Sequence, residues 1–179
     1  MNDFRNFNQL KTNELFVTRQ KWFCPYYELT DGQFIYGKLS YKGIWKRHTI
    51  IETADGLWTL KMEGWFNNTM LLNEGEDKTV GSIKPSHWKR DTSLKLDNGF
   101  EATFIYKKLF SKSLTLINST EGDILEVKQK PFSIKKPFEV TISAQQQKTK
   151  LNLPLFALIG VSTILLRQAQ ASAAAGAGA

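Results

Sequence analysis

Cysteine is almost missing from this chain. Cys24 is the only one in 179 residues, so an intramolecular disulfide and a cysteine metal cluster are both excluded. Histidine is scarce as well: His48 and His87 are the only two, and no spacing with carboxylates picks out a ligand set. No metal and no cofactor is therefore expected. The sequence has no phosphate-cradling loop, dinucleotide fingerprint, nucleophile elbow or helical zinc-protease motif. With no nucleophile set and no acid–base pair, no catalytic residue is assigned and the chain reads as a non-enzyme. The opening MNDFRNFNQLKTNELF lacks the apolar centre of a signal peptide, so a cytoplasmic protein is expected. Acidic residues thin out along the chain. Residues 1–106 carry 14 basic and 13 acidic side chains, whereas residues 107–179 carry 10 and 4, and the whole chain is +7. A basic back half attracts phosphate-bearing partners, and a solvated lysine-rich surface has the same composition.

Aromatic residues are plentiful, with twelve Phe, five Trp and five Tyr, and each can bury a large area. The string Trp-Lys-Arg-x-Thr occurs at Trp45–Thr49 and again at Trp88–Thr92, 43 positions later, with flanking glycines at matching offsets. One supersecondary block is thus used at least twice. Turn signals fall at Asp31-Gly32, Asp55-Gly56, Glu74-Gly75, Asn98-Gly99 and Glu121-Gly122. Between them runs a period of two: Trp58, Leu60 and Met62 share a face, as do Phe100, Ala102, Phe104 and Tyr106, and Phe138, Val140 and Ile142. The second copy is one residue longer, which predicts a bulge near Lys107-Lys108. The pattern predicts about a dozen antiparallel strands, and so many in one small domain must close or fold over to remove their edges. Cys24, in the run Trp22–Tyr27 with no local base, reads as a small core residue.

After a polar hinge at residues 145–150 comes LNLPLFALIGVSTILLRQAQ, whose residues 153–166 are uncharged and apolar on every side. Asn152 or a neighbour can cap a helix there, and Pro154 suits a first turn. A helix with no polar face lies inside protein or in lipid. Fourteen residues rise only about 21 Å, short of a hydrocarbon core of ~30 Å, so length points to a buried plug rather than a tail anchor. A barrel of about twelve strands has a wide lumen for it to fill.

A barrel of this kind threaded by an apolar C-terminal helix resembles the tubby C-terminal-like superfamily, with its scramblase-like and LURP-one-related branches. The likeness lies in YYELTDGQFIYGKL, FIYKKLFSKSLTLINSTEGDILEVKQK and LPLFALIGVSTILL, within residues 15–170, and is strongest to small bacterial members of unassigned role. The resemblance implies a single, mainly β, closed or nearly closed antiparallel barrel over residues 14–171, with a central helix at about 152–170. A flexible arm (1–13) and a flexible Ala/Gly tail (172–179) would flank it. Lipid-headgroup binding follows by analogy only. The cysteine-rich segment of scramblases and a clear calcium loop are absent, and no family binding residue maps onto a position here.

The repeated strings are the remaining candidate site. Lys46, Arg47, Lys89 and Arg90 can hold an anion, with Trp45 and Trp88 as aromatic neighbours that stack or pack against it. The plainer reading makes each Trp a barrel position where a strand begins, with Lys and Arg pointing outward. Glu74, Glu76 and Asp77, beside Lys78, read as a solvated turn rather than a calcium site. The expected function is a non-catalytic barrel that binds an anionic phospholipid headgroup or membrane surface, peripheral at the inner membrane face. The alternatives are a structural or protein-interaction module with a filled lumen, and a single-stranded nucleic-acid binder.

Overall fold

A computed structural model describes residues 4–43, 48–63, 69–86, 90–107, 112–146 and 151–176. Its strands are β1 (Glu14–Gln20), β2 (Tyr26–Thr30), β3 (Ile35–Lys42), β4 (His48–Thr53), β5 (Gly56–Met62) and β6 (Met70–Glu74). They continue as β7 (Lys78–Pro85), β8 (Thr92–Leu96), β9 (Glu101–Ile105), β10 (Ser113–Asn118), β11 (Gly122–Gln129) and β12 (Phe138–Ile142), followed by helix α1 (Leu153–Gly176). Each strand lies antiparallel to its sequence neighbour, and β1 pairs with β12 to complete a closed ring of twelve. The expected barrel around a C-terminal helix is the observed architecture.

Alternation explains the strands. Along β12, Phe138, Val140 and Ile142 are buried while Glu139 and Thr141 face outward. On β9, Ala102 and Phe104 face the core in the same way. The acid-Gly and Asn-Gly pairs lie at the tight even-to-odd hairpins, as their turn chemistry predicts. At Gly99 the backbone is left-handed (φ 87), and the Asn98 side chain accepts a hydrogen bond from the Phe100 N–H at 3.0 Å. Register shifts occur at Leu29/Thr30, Leu72/Asn73 and Leu116/Ile117, 43 and then 44 positions apart, close to the spacing of the Trp-Lys-Arg strings. The bulge expected at Lys107-Lys108 falls partly outside the described residues, since Lys108 is not among them. The described irregularity lies farther on, at Leu116/Ile117.

Helix α1 runs through the lumen, and Leu153 to Leu165 are all buried. Asn152 starts it: its side-chain oxygen accepts the Leu155 N–H at 3.0 Å and its carbonyl accepts the Phe156 N–H at 3.1 Å. A twelve-strand lumen is wider than strand side chains alone fill, and a helix of about 10 Å diameter occupies it. Close approach is possible because two contact positions lack a side chain. A Cβ on Gly37 would lie 2.9 Å from Leu158 Cδ1, and a Cβ on Gly160 would lie 3.0 Å from Val127 Cγ2 and 3.1 Å from Phe104 Cε1. By length and composition α1 also passes as a membrane span, yet 72% of its apolar window is buried in the barrel.

Two boundaries differ from expectation. The helix does not stop near residue 170 but continues to Gly176, because Ala, the best helix former, dominates residues expected to form a flexible tail. The expected arm at 1–13 is held against the barrel from Arg5. The Arg5 N–H donates to the Ile35 carbonyl at 2.8 Å, its guanidinium lies 4.0 Å over the Phe34 ring, and Phe7 packs edge-on to Tyr36 with ring centroids 5.9 Å apart.

Removing residues 151–179 should leave an open apolar lumen and a molten or insoluble product, read by loss of near-ultraviolet circular dichroism with retained far-ultraviolet signal. Leu158→Asp should cost several kcal/mol (about 3–5) in chemical denaturation, because it buries an unpaired charge. Gly160→Leu should cost about 1–3 kcal/mol through overpacking against Val127 and Phe104. A Gly160→Leu protein as stable as the wild type would show that helix and wall are not in contact there.

Candidate functional site

The antiparallel order separates the barrel's two ends. Tight even-to-odd hairpins close one end, and the odd-to-even connections lie at the other, where α1 leaves the lumen. Beside that exit is a cleft of about 530 Å³, lined among others by Arg90, Tyr106, Lys112, Gln129, Ile164 and Arg167. Three of these are cations, and none of the described residues lining the cleft is acidic.

Arg167 organises the cleft. It is the only charged residue of α1, and it emerges where burial ends. One guanidinium N–H donates to the Arg90 carbonyl at 2.6 Å, and the other nitrogen donates to Thr92 Oγ1 at 2.7 Å and to the Asp91 carbonyl at 3.5 Å. The same guanidinium lies 5.4 Å from the Tyr106 ring centroid. The helix end is thereby tied to the segment that leads into β8. With its planar fork fixed by backbone and hydroxyl oxygens, Arg167 holds a positive charge in one place at little further cost in side-chain entropy. Arg90 and Lys112 are exposed around it. The arrangement provides an anion-attracting concavity with an aromatic wall.

Of the residues singled out by sequence, Arg90 lies in this cleft. Trp45, Lys46, Arg47, Trp88 and Lys89 lie outside the described residues, as does His87. Sequence reasoning missed Lys112, Tyr106 and Arg167. A usable signal existed for Arg167 alone: a single charge ending an apolar run must sit at the mouth of whatever encloses that run. Cys24 was expected in the core but is exposed, with φ 51, in the β1–β2 connection. The acidic turn is ion-paired, with Glu74 to Lys78 at 2.6 Å, Asp77 to Lys61 at 3.1 Å and Glu76 to Lys42 at 3.6 Å. A second, more apolar concavity of about 330 Å³ lies at the opposite mouth, beside Trp58, Phe100 and Phe156.

Other polar groups serve the fold. The Tyr36 hydroxyl donates to Asp31 at 2.8 Å, and burial together with that bond pushes its pKa up to about 12. Burial acts to raise Asp31, but hydrogen bonds from Phe34, Gln33 and Tyr36 outweigh it and hold the carboxyl below its usual value. Ser162 on α1 and Thr49 on β4 share a hydroxyl–hydroxyl hydrogen bond of 3.3 Å inside the barrel. No family model, curated protein or solved structure matches this chain.

His48 opens β4 opposite Lys42 on one side and Lys61 on the other. Its Nε2 is buried without a hydrogen-bond partner among the described residues. Burial, then the charges of Lys61 and Lys42, hold its pKa below the usual 6.5, with Glu76 acting weakly the other way. The unfolded chain therefore takes up the proton first as pH falls below 6.5. Stability contributed by neutral His48 is whole above that value and is lost between it and the lower folded pKa. His48→Gln should flatten this part of the Tm profile between about pH 7.5 and about pH 5. Parallel wild-type and variant profiles would show that His48 is not coupled to folding.

Proposed function

We propose that the protein is a non-catalytic barrel that binds an anionic, phosphate-bearing partner, namely a phospholipid headgroup at a membrane surface. The observation that carries the reading is the cleft at the helix exit, which Arg90, Lys112 and Arg167 line and whose described lining residues include no acid. Cations beside an aromatic wall suit a phosphodiester: Arg167, its fork bonded to protein oxygens, supplies a fixed positive charge, and Lys112 offers a compact one. The excess of positive charge in residues 107–179 agrees with this, because it raises the local concentration of anions. The resemblance to tubby-like barrels, a superfamily associated with lipid binding, points the same way by analogy. A lumen filled by α1 favours recognition at the surface over an enclosed ligand chamber.

Arg90→Ser combined with Lys112→Ser should leave the fold intact, since both side chains are exposed. Each charge near an anionic surface is worth about 1 kcal/mol, so the double variant should bind phosphatidylserine vesicles roughly thirtyfold more weakly. The difference should shrink as salt rises, because the screening length falls to about 8 Å at physiological ionic strength. Equal binding by wild type and variant in co-sedimentation would sink the headgroup reading. Retained vesicle binding with lost single-stranded RNA binding would move the cleft to nucleic acid.

A further inference from the structure

Two hairpin connections stand side by side at the same end as the cleft. One joins β1 to β2 (residues 21–25) and the other joins β11 to β12 (residues 130–137). They are neighbours because β1 pairs with both β2 and β12, and the Arg19 N–H donates to the Lys135 carbonyl at 2.9 Å. Their tips carry Trp22 (70% exposed), Phe23 (84%), Phe132 (103%) and Ile134 (61%). These are four of the seven large apolar side chains exposed among the described residues, gathered on two adjoining turns. Scattered apolar residues on a surface need no explanation, but a cluster at paired tips does.

The backbone adds an independent observation. Lys21 (φ 59), Cys24 (φ 51) and Phe132 (φ 69) are the only non-glycine residues at positive φ among those described, and all three lie in these two tips. A left-handed conformation costs a residue with a side chain, so such sites persist where the surroundings enforce them, and they cluster where function requires a particular presentation. Here the strained turns hold Trp22, Phe23 and Phe132 in water rather than folded back onto the wall.

Charge sets the partner. From Arg19 to Tyr27 and from Gln129 to Phe138 the chain has no acidic residue, and Arg19, Lys21, Lys135 and Lys136 flank the apolar tips, whereas Lys130 is ion-paired with Glu139 at 3.1 Å. The Arg19 guanidinium lies 5.7 Å from the Trp22 ring, and Lys130 and Lys136 lie 5.5 and 4.9 Å from the Phe16 ring below. Apolar points above a collar of cations match a lipid bilayer, whose anionic headgroups meet the collar while Trp and Phe settle at the headgroup–acyl boundary. Ile134 has no stacking role toward a nucleobase, which favours lipid over nucleic acid. We infer that the β1–β2 and β11–β12 tips form a two-point wedge that inserts into an anionic bilayer. The inference rests on the phospholipid reading above, and Gln129, which lines the cleft, leads directly into the second tip. Insertion therefore brings the cleft down to headgroup level.

Cys24, exposed at the first tip and alone in the sequence, offers a native labelling site in the full chain. An environment-sensitive fluorophore on Cys24 should shift to the blue with vesicles of phosphatidylcholine plus phosphatidylserine, and lipid-borne quenchers should reach it. Trp22→Ser with Phe23→Ser should lower vesicle partitioning at least about tenfold while leaving the titration of the cleft with inorganic phosphate unchanged. Lys21, Lys135 and Lys136 changed together to Ser should cost roughly a hundredfold on anionic vesicles and little on pure phosphatidylcholine. A label that stays water-exposed and unquenched while the protein pellets with vesicles overturns the wedge and leaves the headgroup reading standing. Phosphate binding without any vesicle binding also overturns the wedge. Protection of the label by self-association or by single-stranded RNA, in place of lipid, overturns it as well.

Discussion

The fold depends on filling one space. Twelve short strands can close only as a wide ring, and a wide ring leaves each inward side chain facing a void unless something occupies the centre. Residues Leu153 to Leu165 supply that occupant, and nearly every inward position on the wall ends up with less than a few per cent of its surface in water. The missing side chains at Gly37 and Gly160 serve the same requirement, since the helix can lie close to β3 and to the β9–β11 wall only where there is no Cβ to clash. Specific polar contact is sparse inside, with the Thr49–Ser162 pair as one fixed point and the Asn152 cap and Arg167 bonds fastening the two ends.

Filling the lumen leaves the outer surface and the two mouths as the parts open to water. The two ends then differ because antiparallel order sends tight hairpins to one and the longer connections to the other. Turn chemistry at the tight end is spent on closure, as with Asn98-Gly99. The opposite end carries the basic cleft and the apolar tips, which are features closure does not require. Helix α1 links them: the residue that ends its burial, Arg167, is also the residue that positions the cleft.

Much of the architecture was legible because it is written in local periods. Alternation along β12 and β9, acid-Gly and Asn-Gly turns, and an uncharged stretch with no polar face each carry a physical meaning over a short span of sequence. The cleft was less legible. Arg167 and Arg90 are 77 positions apart, and only the closed ring brings the helix exit to the start of β8. Cys24 was misjudged for a related reason. Its aromatic neighbours resembled core, but Trp22 and Phe23 stand on a left-handed turn that no period-two or helical pattern announces. The N-terminal residues looked loose because their anchors, Ile35 and Tyr36, lie on another strand.

The β1–β12 seam has a consequence for how the molecule is made. Leu15 lies opposite Val140, so the first strand waits with an open edge through synthesis of almost all the others. The helix emerges from the ribosome later still. The strand that closes the ring, β12, and the helix that fills it both come from the last part of the chain. Ring closure therefore joins positions at the two ends of the sequence across a large loop, the kind of nonlocal contact that slows folding and leaves strand edges exposed to other chains in the meantime.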